Sequence, residues 1–176
     1  NLDHGYIMEC LAEHYRLSGD RAWLERVTPN LIAACEFVIR ERQATKTTAP
    51  DGAPAPEWGL LPPGHLEDNQ EWRYWFSVNA HAYGGMRAIA DVLAEIGHPL
   101  AERLAGEAEA YRQDIRRAAL RAMEETPVVR LLDGTYVPHI PARADVRGRT
   151  WGWFREAAYG ALHLLESGVF DPNEPE

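Results

Sequence analysis

Residues 57–75, EWGLLPPGHLEDNQEWRYW, gather Glu57, Glu67, Asp68 and Glu71 with Trp58, Trp72 and Trp75. Carboxyl groups among flat apolar rings are the parts that glycosidic-bond hydrolysis requires. One carboxyl with a raised pKa protonates the leaving oxygen, a second attacks or activates water, and the ring faces stack on sugars. A flexible linker would be rich in Gly and Ser or dominated by charge, whereas Leu60, Leu61 and these tryptophans need something to pack on or a ligand to cover them. The segment therefore reads as a site loop held over a helical scaffold. Asp68 and Glu71 would share a face if a helix began that early, while the adjacent Glu67 and Asp68 would point apart. The competing reading makes the acids solvated caps of the next helix and the tryptophans ordinary core.

Other chemistries find little support. His4, His14, His65, His81, His98, His139 and His163 show no metal-ligand spacing, and there is no P-loop, GxGxxG or GxSxG, so no metal and no cofactor is expected. Arg147, Arg149 and Arg155 lie near Trp151 and Trp153 and could bind an anionic sugar, although pairing with the chain's excess acids is the simpler role. Cys10 and Cys35 lack CxxC spacing and fall where a helical apolar face would bury them, with a disulfide between them left open. A formal net charge of −9 argues against nucleic acid as a partner, since that affinity comes from clustered Lys and Arg. No apolar run approaches the roughly 20 residues of a membrane span. The start, Asn1-Leu2-Asp3, is unlike a signal peptide, which leaves the compartment unknown with the cytoplasm slightly favoured.

The elements that must position the loop are helical. Residues 3–18 place Ile7, Leu11, His14 or Tyr15, and Ser18 on one face, and Gly19-Asp20 supplies a stop and a fresh N-cap. Leu24, Val27, Leu31, Cys35, Val38 and Ile39 mark a second segment over about 20–44, divided at Thr28-Pro29 as an N-cap and first-turn proline. Residues 43–56 read as an exposed excursion. A third helix starts near Tyr74 or Ser77 and ends at Gly97, and a fourth carries Leu100, Leu104, Ala108, Tyr111, Ile115, Ala118 and Ala122 inward. Glu102, Arg103, Glu107, Arg112 and Arg116 would form its solvated face. Asp133-Gly134 predicts a small β-hairpin between residues 128–132 and 135–140. A fifth helix over 151–167 turns Phe154, Ala158, Leu162 and Leu165 inward.

Met8, Leu11 and Gly19 match Met86, Ile89 and Gly97, and Ala-Tyr-Gly occurs at 82–84 and 158–160. Each unit is a helical hairpin entered from a long loop, which implies an array with the long loops along one edge. The passages GYIMECLAEHYRLSGDRAWLERVTPNLIAACEFVIRER, WGLLPP with its acidic loop, and AYGGMRAIADVLAEIGHPLAERLAGEAEAYRQDIRRA resemble, along most of the chain, the six-hairpin glycosidases, whose fold is an (α/α)6 toroid. The resemblance implies an all-α fold of helical hairpins, a single domain over 1–176, incomplete as a toroid at two and a half hairpins, with a small inserted β-hairpin. It implies a glycoside hydrolase acting on a carbohydrate by carboxylate acid/base chemistry, in whole or as part of a catalytic domain. Its catalytic positions would be Asp68 first, then Glu67 and Glu71, with Glu156 after Trp151-Gly152-Trp153-Phe154 as a distant partner. Trp72, Trp75, Trp151 and Trp153 would stack on sugar, with Trp58 and Arg149 beside them. An uncovered hairpin flank would imply a homo-oligomer or the missing remainder of the barrel. The alternative is a non-catalytic helical module binding a glycan or protein through its aromatic loops. A terpenoid-cyclase-like toroid would want DxDD, which is not in the sequence.

Overall fold

The computed structural model describes residues 2–66, 69–148 and 158–174, and these are mostly helical. α1 (Leu2–Ser18) and α2 (Arg21–Ala44) form one hairpin, and α3 (Phe76–Glu95) and α4 (Ala101–Glu124) another. β1 (Gly64–Leu66) and β2 (Asn69–Arg73) pair as an antiparallel ribbon, as do β3 (Val129–Arg130) and β4 (Tyr136–Val137). A π turn at Ala158–Leu162 runs into a short α5 (His163–Glu166).

α3 is the centre, buried at every position from Phe76 to Met86, with α1 and α4 packed against it. The α1–α3 contact is backbone to backbone. A Cβ on Gly5 would stand 2.3 Å from the His81 carbonyl carbon, and one on Gly85 would stand 2.7 Å from Met8 Cβ. Glycines bring the two helices closer than any side chain would permit. Gly160 likewise lies close to backbone, where a Cβ would stand 3.2 Å from the Pro141 carbonyl oxygen and 3.3 Å from Ala142 Cα.

Several sequence expectations are corrected. The inward face of α1 is Gly5, Met8 and Ala12, while Ile7 is 56% exposed. The glycine contact fixes the helix's rotation more strongly than its apolar residues do. Cys10 is consequently exposed and Cys35 buried, and both are free thiols. α2 is one helix through Pro29, which removes only a single donor, and the Thr28 hydroxyl donates instead to the Leu24 carbonyl at 2.8 Å. In α5 the buried residue is Leu164, and Leu162 and Leu165 are 46% and 42% exposed. The π turn rotates the helical face away from a 3.6-residue register. Phe154 lies outside the described residues.

Four of the five charges expected on the solvated face of α4 are paired. Arg103 pairs with Glu36, Glu107 with Arg42, and Arg112 and Arg116 both pair with Glu174. They clamp α4 to α2 on one side and to the C-terminal segment on the other. The 43–56 excursion folds back on itself through a Thr48–Pro54 bridge, and the Pro54 carbonyl accepts from Arg121.

Candidate functional site

The site segment enters from α2 under firm restraint. Thr45 Oγ1 donates to the Leu60 carbonyl at 2.6 Å, Arg117 Nη2 to the Trp58 carbonyl at 2.9 Å, and the Leu61 amide to Asn79 Oδ1 at 2.8 Å. Asn79 Oδ1 also accepts from the Tyr111 hydroxyl at 2.6 Å, and its Nδ2 donates to the Trp75 carbonyl at 2.7 Å. One buried amide thereby joins the start of the segment, its end and α4. Burial, more than the opposed fields of Arg42 and Asp114, holds the Tyr111 phenol protonated well above its usual range.

Beneath this lies a cluster that the sequence reading missed. Arg42, fully buried, donates to Asp114 Oδ2 at 2.5 Å, and Lys46 and Arg117 approach the same carboxylate at 3.2 and 2.9 Å. Gly59, at φ 75°, lies against it, and a Cβ there would stand 2.2 Å from Asp114 Oδ2. The signal was present in the sequence: Arg42 falls on the buried stripe of Leu31, Cys35 and Val38, and Asp114 interrupts the apolar face of α4.

From Leu61 the chain reaches the β1–β2 ribbon, so residues 57–75 are partly strand and not simply a loop. Glu71 sits on β2, five residues before α3, and therefore not on a helical face. The ribbon is tied to α3 by Trp75, whose Nε1 donates to the Gly64 carbonyl at 2.8 Å. Trp75 is 1% exposed, so it is a core residue and not a surface on which a sugar could stack. Trp58 is half-buried. Trp72 is the exposed indole, at 64%, with the His65 ring edge-on to it at 4.7 Å.

The second long loop meets the first here. Trp75 and Arg143 form an antiparallel bridge, the Phe76 amide donates to the Ala142 carbonyl and the Ala144 amide to the Tyr74 carbonyl. Ala142, Arg143 and Ala144 are all buried and Asp145 is exposed, so no period-two alternation marks this stretch as a strand in the sequence. Arg143 is 2% exposed, with its guanidinium over the Trp75 ring and Nη1 3.0 Å from Glu71 Oε2. A buried guanidinium requires such a counter-ion. Arg73 lies between two acids, 3.4 Å from Glu71 Oε2 and 3.8 Å from Asp145 Oδ2. Burial raises the Tyr74 phenol's pKa, and the fields of Glu57 and Asp145 add to that effect, so these acids bear on one spot.

Thus Glu71 and Asp145 meet at the root of the ribbon with Arg73 and Arg143 interleaved, and the field of Glu57 reaches Tyr74 there. Glu71 is an acceptor anchored between two guanidinium groups. Arg147 is occupied elsewhere, donating to Glu125 at 2.6 Å. Glu67, Asp68, Arg149, Trp151, Trp153 and Glu156 lie outside the described residues. Among the described residues no cluster of His, Cys, Asp and Glu is arranged to hold a metal ion, and no helix is long and apolar enough to cross a membrane. Compared with known proteins, the chain matches no protein-family model, no curated protein and no solved structure.

Proposed function

We propose that the chain is a glycoside hydrolase, or part of the catalytic domain of one, whose saccharide runs along the β1–β2 ribbon, and that its hairpins belong to an (α/α)6 arrangement. The observation that carries this reading is Trp72, an indole 64% exposed on the same strand as Glu71. A flat ring in solvent offers a pyranose an apolar face to stack on, and Glu71, next to it in the chain and fixed by Arg143, is an acceptor for hydroxyls at the root of the ribbon. In this reading Asp68, with Glu67 beside it, supplies the acid/base chemistry by the family resemblance. Glu71 and Asp145 are carboxylates held in place by Arg73 and Arg143, and they orient hydroxyl groups.

A second reading is a non-catalytic helical module that binds a glycan through the same edge. The pairing of Glu71 with Arg143 and Arg73 favours it, because a carboxylate so engaged has a structural reason to exist without catalysis. Glycan-array binding and hydrolysis by the purified chain, beside Trp72→Ala and Asp68→Asn, separate the two. Loss of one stacked ring is expected to weaken binding by about tenfold. Turnover abolished in Asp68→Asn with binding intact supports the hydrolase, and binding without turnover in any of the three proteins supports the module. Wild-type protein that binds no saccharide, or a Trp72→Ala variant that binds as tightly as wild type, overturns both.

A further inference from the structure

A separate cavity of about 430 Å³ lies between α3, α4 and the C-terminal turn, lined by Tyr83, Arg87, Arg112, Phe170 and Asp171 among others. We propose that it is a binding site for a small oxyanion-bearing ligand, a carboxylate or a phosphate group, with Arg87 as the contact residue.

Three observations converge on Arg87. Its guanidinium lies over the Tyr83 ring, 5.5 Å from the centroid, and Tyr83 is 3% exposed, so one face of the fork is set against a fixed surface. The chain leaves room for it: Gly168, at φ 79°, has no side chain, and a Cβ there would come within 2.6 Å of Arg87 Nη1. Finally, among the described residues no carboxylate takes up the fork. Acids outnumber bases 27 to 18 in this chain, and most neighbouring arginines are paired. Asp171, which lines the same cavity, instead accepts from the backbone and side-chain nitrogens of Asn173.

The neighbouring cations are committed in a way that builds the site. Arg112 Nε donates to the Gly168 and Val169 carbonyls at 3.0 and 3.1 Å, and its Nη2 donates to Glu174 at 3.2 Å. Arg116 donates to the Val169 carbonyl and Glu174 and lies over the Phe170 ring at 4.4 Å. The turn that forms one wall is thus pinned by two guanidinium groups that Glu174 and, 3.6 Å from Arg112, Glu109 already offset, which leaves Arg87 as the contact for a ligand. A planar fork with two parallel donors suits the two oxygens of a carboxylate or phosphate, and such charge-assisted pairs are roughly twice as strong as neutral ones.

The test is binding of inorganic phosphate and, separately, acetate to the full chain, read by calorimetry and by Tm, with sodium chloride matched for ionic strength. Arg87→Gln removes the charge, and Arg87→Lys keeps it while losing the fork. Saturable binding to wild type is expected, weakened about tenfold in Arg87→Gln and by a smaller factor in Arg87→Lys. A phosphate response alone assigns the site to phosphate esters, and a response to both assigns it to oxyanions generally. Arg87 is an exposed surface residue, so Arg87→Gln is expected to fold as wild type does, which far-ultraviolet circular dichroism checks. Binding equal in Arg87→Gln and wild type, or a Tm rise no larger than that from chloride, overturns the proposal.

Discussion

Replacing Asp114 by Ala tests whether the buried cluster under the site segment holds that segment in place. In the native protein this carboxylate, with a 9% exposed side chain, is shared by Arg42, Lys46 and Arg117. Its removal leaves the Arg42 guanidinium, which is wholly out of solvent, with Glu107 at 3.1 Å as its remaining acid among the described residues. Removing one partner of a buried ion pair costs about 3–5 kcal/mol, because the other charge stays buried without compensation. Glu107 has a side chain 30% exposed and recovers part of this, so the lower end, about 3 kcal/mol, is expected. For a chain of this size that is a fall in Tm of roughly 6–12 °C. Urea unfolding followed by tryptophan fluorescence and by circular dichroism measures it. The double variant Arg42→Met with Asp114→Leu should recover most of the loss, since it removes the charge together with its counter-ion. A loss below ~1 kcal/mol in Asp114→Ala, or a double variant no more stable than the single one, refutes the reasoning.

Two further perturbations check other parts of the structure. Gly5→Ala should destabilise by about 1–3 kcal/mol, because its Cβ would stand 2.3 Å from backbone that has no free rotamer by which to yield; a neutral result in urea unfolding removes the close α1–α3 contact from the account. Burial pushes the Cys35 thiol up to about 12 from 9.0, against a smaller opposing effect from Arg103. Because the folded pKa is the higher, this group's contribution is fully present below pH 9.0 and is lost as pH rises towards about 12. The three-unit difference sets an upper bound of ~4 kcal/mol on that loss. Urea midpoints level through neutral pH and falling above pH 9, with a thiol reagent modifying Cys10 but not Cys35 in the folded protein, are the expected outcome; rapid labelling of both cysteines contradicts it.

What the sequence disclosed and what it withheld separate along a physical line. Helix positions were legible because apolar periodicity and the Gly19 and Gly97 stops are local signals. The rotation of α1 was not, since it depends on which backbone Gly5 lies against, and a glycine carries no apolar signal of its own. The ribbon was hidden for a similar reason. Gly64-His65-Leu66 and Asn69 to Arg73 alternate too weakly to read as strands by themselves, and their pairing becomes persuasive only once Trp75 is seen tying Gly64 to the start of α3. Trp72 and Trp75 make the point most sharply. They are identical residues three apart in a segment read as one aromatic surface, yet one is 64% exposed and the other 1%. The difference lies in Arg143, almost seventy residues later, which covers Trp75 and requires Glu71 as its counter-ion. A carboxylate chosen from sequence for its place among tryptophans thus has a structural task set by a distant arginine. That couples the experiments: Arg143→Gln should at once unsettle Trp75 and deprive Glu71 of the nearer of the Arg143 and Arg73 guanidinium groups, whereas Trp72→Ala should leave the fold alone and report on the ligand.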